Sequence, residues 1–230
     1  MRALGLVLAL LLAAAAPAAA QSSPLVLADF DADPPALFPP AWESRDEGTA
    51  RRVYKIVRDG GDQYLAAAAQ AESAQIGLPV SLDLARYPVL SWRWRVAALP
   101  AGGNERRKAT NDSAAGVYAV FRGGFGGLVP RAIKYVWSTE QPVGAAFASP
   151  GYSNAKIVVL RSGGAAGGEW RTERVDVAAD YRRLFDEAPP ALRGIAVLTD
   201  ADDTGTRAAA DYDDFRALPR PVQASADPAS

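Results

Sequence analysis

Leu90-Ser91-Trp92-Arg93-Trp94-Arg95-Val96 is the stretch from which the fold is read. Successive side chains of a strand point to opposite faces. Leu90, Trp92, Trp94 and Val96 therefore share one face, while Ser91, Arg93 and Arg95 share the other. Four apolar side chains in an unbroken row predict a strand that faces a core. The arginine row is left on the outer side.

Similar short runs recur on both sides of this strand. Leu25–Phe30, Val53–Val57, Tyr64–Ala69 and Leu78–Leu84 precede it. Ala115–Phe121, Ala132–Ser138, Lys156–Arg161, Trp170–Val177, Gly194–Thr199 and Ala210–Leu218 follow. Gly, Pro or Asp clusters separate them, among them Pro34-Pro35, Asp59-Gly60-Gly61 and two glycine loops. This spacing predicts an all-β fold, an antiparallel β-sandwich of jelly-roll-like layout. One short helix is predicted over Tyr181–Glu187, capped by Asp180 and stopped by Pro189-Pro190.

The 230 residues hold 25 Lys plus Arg and 26 Asp plus Glu, with no His and no Cys. The two zeros exclude a Ser–His–Asp triad, an imidazole base, a thiolate nucleophile, disulfides, and histidine or cysteine metal sites. The balanced charge argues against a nucleic-acid partner. Met1-Arg2, the apolar Leu4–Ala16 run and Pro17-Ala18-Ala19-Ala20 have the layout of a signal peptide over residues 1–20. No later run has the ~18 apolar residues of a spanning helix, so no stable membrane insertion is predicted. The expectation is an exported protein, periplasmic or extracellular. It would have one β-sandwich domain over 21–218 and a Pro/Ala/Ser-rich disordered tail over 219–230.

Several phrases carry a family resemblance. They are Phe30-Asp31-Ala32-Asp33-Pro34-Pro35, Pro39-Pro40-Ala41-Trp42-Glu43, Tyr87-Pro88-Val89-Leu90-Ser91-Trp92-Arg93-Trp94, and Asn111-Asp112 before Val117-Tyr118-Ala119-Val120-Phe121. Tyr135-Val136-Trp137-Ser138, Val159-Leu160-Arg161-Ser162-Gly163 and Thr199-Asp200-Ala201-Asp202-Asp203-Thr204-Gly205 complete the set. Together they resemble a family of exported bacterial proteins known as domain of unknown function 3047. The resemblance implies one exported β-sandwich domain and no particular activity. A looser likeness, in layout only, is to galactose-binding-like jelly rolls, which often hold a structural calcium.

The chemistry-bearing residues fall into two groups. Arg93, Arg95, Lys134, Arg161 and Asp200, with Asp112 and Tyr118 nearby, are the candidate ligand-binding residues. On one sheet face they would form a cationic groove, because guanidinium grips carboxylate or phosphate through paired hydrogen bonds. The alternative is an ion-pair network of the arginines with Asp112, Asp200 and Asp202 that seals the sheet. In the second group, Asp200, Asp202 and Asp203 offer the oxygen donors a structural Ca²⁺ would want, without EF-hand spacing. An Asx-rich turn closed by Gly205 is the other reading.

No catalytic motif with specific spacing is present, and the expected function is a non-catalytic binding module for a glycan or another anionic ligand. Trp170 and Tyr152 are its candidate exposed aromatics. Two alternatives stand beside it. One is a polysaccharide-active enzyme, either a uronate lyase with Tyr118 or Lys134 as base or a glycoside hydrolase with Asp112 and Asp200 paired. The other is an envelope structural protein.

Overall fold

A computed structural model describes residues 23–123, 127–164 and 168–220. The leader, residues 124–126 and 165–167 of the glycine loops, and tail residues 221–230 lie outside the described residues. Twelve strands are present: β1 (Leu25–Ala28), β2 (Tyr54–Asp59), β3 (Asp62–Gln70), β4 (Ser73–Leu82), β5 (Val89–Ala98), β6 (Ala115–Gly123), β7 (Gly127–Ser138), β8 (Ala146–Ala148), β9 (Ala155–Ser162), β10 (Arg171–Asp176), β11 (Leu192–Asp200) and β12 (Arg207–Leu218). Two α-helices, α1 (Glu47–Val53) and α2 (Val177–Phe185), accompany them, both counts being of the described residues.

The strands form two sheets packed face to face. One runs β10-β5-β12-β3-β2, with β1 taking over the edge of β12; the other runs β4-β11-β6-β7-β9-β8. They are called below the β5 sheet and the β6 sheet. Every pairing is antiparallel except β7 with β9. That parallel pair is possible because Thr139–Asn154, including β8, supplies the crossover it needs.

Alternation in β5 plays out as read. Trp92 and Trp94 are fully buried, and their rings meet Tyr135 at 5.8 Å and Trp137 at 5.9 Å from the opposite sheet. Leu65, Ile76, Val117, Phe121, Ile133, Val197 and Phe215 complete the same core. Burying such aromatics contributes about 1.5–3 kcal/mol each.

The helices differ from the sequence reading in two respects. α2 begins four residues earlier, because Asp176 rather than Asp180 accepts from the N–H of Ala179 as N-cap. Asp180 instead accepts from the Tyr135 hydroxyl at 3.0 Å. α1 is additional: Asp46 caps it through the Thr49 N–H, and its single turn and a half packs Ala50 and Val53 inward. Beyond β12, Arg220 still pairs with Asp176 at 3.0 Å. No helix among the described residues is long and apolar enough to cross a membrane.

Candidate functional site

The two outer faces of the sandwich are built differently. On the β5 sheet, Arg95 stands opposite Asp211 and Arg93 opposite Asp213 in the β5–β12 register. Arg95 Nε donates to Asp211 Oδ2 at 2.6 Å. Arg93 bonds Asp213, both Asp62 oxygens at 2.7 Å, and Asp214 at 3.3 Å. Asp214 reaches it because β12 bulges there, with Asp214 in the left-handed region at φ 54°. Trp170 then lies over both guanidinium groups, at 4.5 and 4.7 Å from its ring centre, and Tyr64 packs against Trp170. Both arginines are thus paired with carboxylates and covered by an aromatic ring.

One cation serves three carboxylates here, and burial dominates the balance. It pushes the Asp213 carboxyl up to about 7 against the pull of Arg93. Burial also raises Asp211, with Arg95 opposing.

The outer face of the β6 sheet carries its residues in rows set by register. Gly77, Ala196, Tyr118, Lys134 and Ile157 form one row across five strands. Pro79, Gly194, Val120, Ala132 and Ala155 lie on one side of it, and Gln75, Leu198, Gly116, Val136 and Val159 on the other. Around the partly buried Tyr118, the small residues Gly116, Gly194, Ala132 and Ala196 alternate with Val120, Lys134, Val136 and Leu198. A Cβ at Gly116 would lie 2.8 Å from Lys134 Cε, so a larger residue there would displace the end of the lysine side chain. Further along, Val136, Ile157 and Val159 are covered by Ala145 and Phe147 of the crossover.

Lys134, almost wholly buried, runs under Tyr118, with Nζ 5.8 Å from the ring centre and 2.9 Å from Ser113 Oγ. Burial opposes its charge, but Tyr118, Asp200 and Glu105 outweigh that and hold the ammonium pKa above its usual value. Asp200 is pushed up to about 8, first by burial and then by Asp202 and Asp112, against Lys134. Glu105 is fully buried and accepts from Ser138 Oγ at 2.6 Å. Glu105 Oε1 and Asp200 Oδ1 are buried without a hydrogen-bond partner. Such acceptors are costly and normally find a water or ligand donor.

The predicted single polar face is therefore corrected. Tyr118, Lys134 and Asp200 come together on the β6 sheet, and Arg93 and Arg95 lie on the other sheet, paired with Asp213 and Asp211 rather than with Asp112, Asp200 or Asp202. Arg161 leaves the parity of Ile157 and Val159 because the β7–β9 register slips between Val136 and Trp137. It turns to the sheet edge and donates to Glu173 at 2.7 Å, beside the Trp94 indole on the same oxygen.

Asp112 has a third role. Buried, it accepts from the Asp203 and Thr204 N–H groups and the Thr204 hydroxyl, which closes the 201–206 turn. The calcium set also changes: Asp112, Asp202 and Asp203 bring oxygens within 4.8 Å of one another, and Asp200 is not among them. With Asp112 committed to the turn and Asp203 Oδ2 accepting from the Asn111 N–H, these donors suit an Asx-type turn better than the six to eight free oxygens of a calcium cage.

Residues 41–216 match the sequence profile of the family described as Protein of unknown function (DUF3047). The chain belongs to this family. No curated protein matches the sequence. Similar solved structures include a non-crystalline cellulose specific carbohydrate-binding module, CBM28, at 13% identity and TM-score 0.45, covering 86% of this chain and 96% of that one. Another is TmCBM61 in complex with β-1,4-galactotriose, at 12% and 0.40, covering 85% and 97%. A third is Caldicellulosiruptor saccharolyticus CBM27-1 in complex with mannohexaose, at 12% and 0.41, covering 86% and 98%.

For this DUF3047 chain, sequence reading missed Glu105, Ser113 and the small-residue floor. The floor did leave a signal: Gly194 with Ala196, and Gly116 next to Tyr118, are small residues at period two on a strand's outer side. Glu105 left none, because a loop brings it over β7.

Proposed function

We propose that this chain is an exported, non-catalytic module that binds a glycan on the outer face of the β6 sheet. The observation that carries the reading is Tyr118, a partly buried aromatic ring on the outer side of the sheet, next in register to the small residues Gly116, Gly194 and Ala196. Polar groups, Lys134 and Asp200, lie at its foot. A sugar ring presents one apolar face to an aromatic and a rim of hydroxyls to polar groups. Leader residues 1–20 would deliver the module to the periplasm or beyond, where glycans are met.

Turnover is not favoured by these residues. Lys134 is held protonated, and burial raises the Tyr118 hydroxyl, so neither is tuned to abstract a proton near neutral pH. Asp112 is fully engaged in its turn and does not pair with Asp200 across a cleft.

The test is thermal unfolding of the purified chain against a glycan panel. A ligand at one hundred times its dissociation constant adds about 2.7 kcal/mol. The expected result is a stabilising shift with at least one glycan that Tyr118→Ala abolishes and Arg93→Ala leaves in place. A shift lost in Arg93→Ala and kept in Tyr118→Ala would move the site to the other sheet.

A further inference from the structure

β4 and β11 part at one end of the sandwich. Leu82 opposite Leu192 is their last register pair; there β4 runs into the turn at Asp83, and β11 is entered from Pro189-Pro190. Between the diverging chains lies an open cavity of about 380 Å³, lined by Leu82, Asp83, Leu84, Arg182, Pro189 and Pro190 with small neighbours. Small-molecule sites begin at about 300 Å³. Both walls are held stiffly. Asp83 Oδ1 accepts from the Ala85 N–H at 2.8 Å, and the Asp83 carbonyl from the Arg86 and Tyr87 N–H groups at 3.1 and 2.8 Å. Opposite, proline rings fix φ at residues 189 and 190. Leu82 and Leu84, almost wholly buried, close the cavity from beneath.

Its two charges are unspent. Asp83 and Arg182 are exposed, and among the described residues neither forms an ion pair, with the other or with a third group. Asp176, Asp180 and Glu187 along α2 are taken by Arg220, Arg183 and Arg131, and Asp186 does not line the cavity. Arg86, in the same turn, lies over the Tyr87 ring at 5.1 Å. Arg182 Nη1 donates to Ala178 O at 3.2 Å, which leaves the rest of its guanidinium fork available.

We infer that this cavity binds a small zwitterion with an aliphatic body, of the class of an apolar dipeptide, its carboxylate on Arg182 and its ammonium on Asp83. Guanidinium grips a carboxylate through paired hydrogen bonds, and a carboxylate accepts from an ammonium. An acid and a base that line one cavity without bridging it offer both signs at once. A ligand of a single sign would satisfy one wall and be repelled by the other. Pro189, Pro190, Ala85 and Ala188 supply apolar surface between the charges.

Nuclear magnetic resonance titration of the ¹⁵N-labelled chain with leucyl-leucine tests this. Amide signals of Asp83, Ala85, Ala188 and Ala191 are expected to shift and saturate. N-acetyl-leucyl-leucine, which lacks the ammonium, and leucyl-leucine amide, which lacks the carboxylate, should each bind about three- to five-fold more weakly, as exposed charges allow. Arg182→Gln should bring leucyl-leucine down to the level of its amide. Asp83→Asn, which keeps an oxygen for the Ala85 N–H, should bring it down to the acetylated form. Melting temperatures check that both variants are folded, and Tyr118→Ala should leave dipeptide binding unchanged, so this site stands or falls apart from the glycan site. Absent or scattered shifts, equal binding of the capped peptides, or binding indifferent to both charge variants would overturn the assignment.

Discussion

The two outer faces of this sandwich start from the same kind of sequence and end differently. Arg93 and Arg95 alternate with buried tryptophans on β5, and Lys134 alternates with Tyr135 and Ile133 on β7. On the β5 sheet the cross-strand neighbour of each cation is an aspartate, and Trp170 closes the ladder from outside. On the β6 sheet the cross-strand neighbours of Lys134 are Tyr118 and Ile157, neither of them charged. Cross-strand pairs are the unit of sheet stabilisation, so one face satisfies itself while the other leaves acceptors over. Whether an alternating charge is structure or site depends on the adjacent strand.

That contrast breaks most directly at Arg93. Its removal leaves Asp213, almost wholly buried, without its cation, while the bulged Asp214 keeps Arg216 at 2.7 Å. Breaking a buried pair from one side costs about 3–5 kcal/mol; with a fifth of the Arg93 side chain exposed, we expect about 2–3 kcal/mol. Urea unfolding of Arg93→Ala measures it, with glycan binding retained in the folded fraction. An Arg93→Ala protein as stable as wild type would mean the ladder is not the seal described here.

A second test exploits pH. Folded Asp200 binds its proton more tightly than the unfolded chain does, since its pKa rises from 3.8 to about 8. Its contribution is therefore fully present below about pH 4 and is lost as pH rises towards 8. Asp213, raised to about 7, acts in the same direction. Stability is expected to fall from pH 5 to pH 8, and Asp200→Asn to flatten that fall by roughly 1.4 kcal/mol for each unit of elevation retained in solution. Parallel pH profiles for the two proteins would show that Asp200 is not the buried, proton-holding group of the β6 face.

Smaller in stability, and opposite in function, is Tyr118→Ala. A partly buried ring has less to lose than a buried ion pair, about 1–2 kcal/mol, yet aromatic stacking supplies much of a sugar's binding. Tyr118→Ala should therefore lower stability less than Arg93→Ala does while abolishing the glycan-dependent shift that Arg93→Ala retains. Equal losses of stability in the two variants would erase the distinction between the faces.

Much of the fold was legible because period two needs only the chain itself. Leu90, Trp92, Trp94 and Val96 announced the core face without knowledge of any partner strand. The candidate site was half legible: Tyr118, Lys134 and Asp200 were singled out, but so were Arg93, Arg95 and Arg161. Separating them required pairings over long sequence distances, such as Arg93 with Asp213, 120 residues apart. Arg161 was misplaced by a single register slip, which moves a side chain to the other face. β8 and α1 were missed because three residues of edge strand and a seven-residue helix carry almost no periodicity.

The aspartate turn gives the last and smallest expected effect. It lies beside Asp200 and looks, in sequence, like an oxygen-rich cation loop. Asp112 nevertheless takes two backbone N–H groups and a hydroxyl into its carboxylate, which is what a turn needs when its own donors must satisfy it. Adding millimolar calcium or EDTA is therefore expected to leave the melting temperature unchanged. Asp112→Ala should cost about 1–3 kcal/mol through the buried donors it strands, whether calcium is present or not. A calcium-dependent rise in melting temperature that Asp112→Ala removes would reverse this reading.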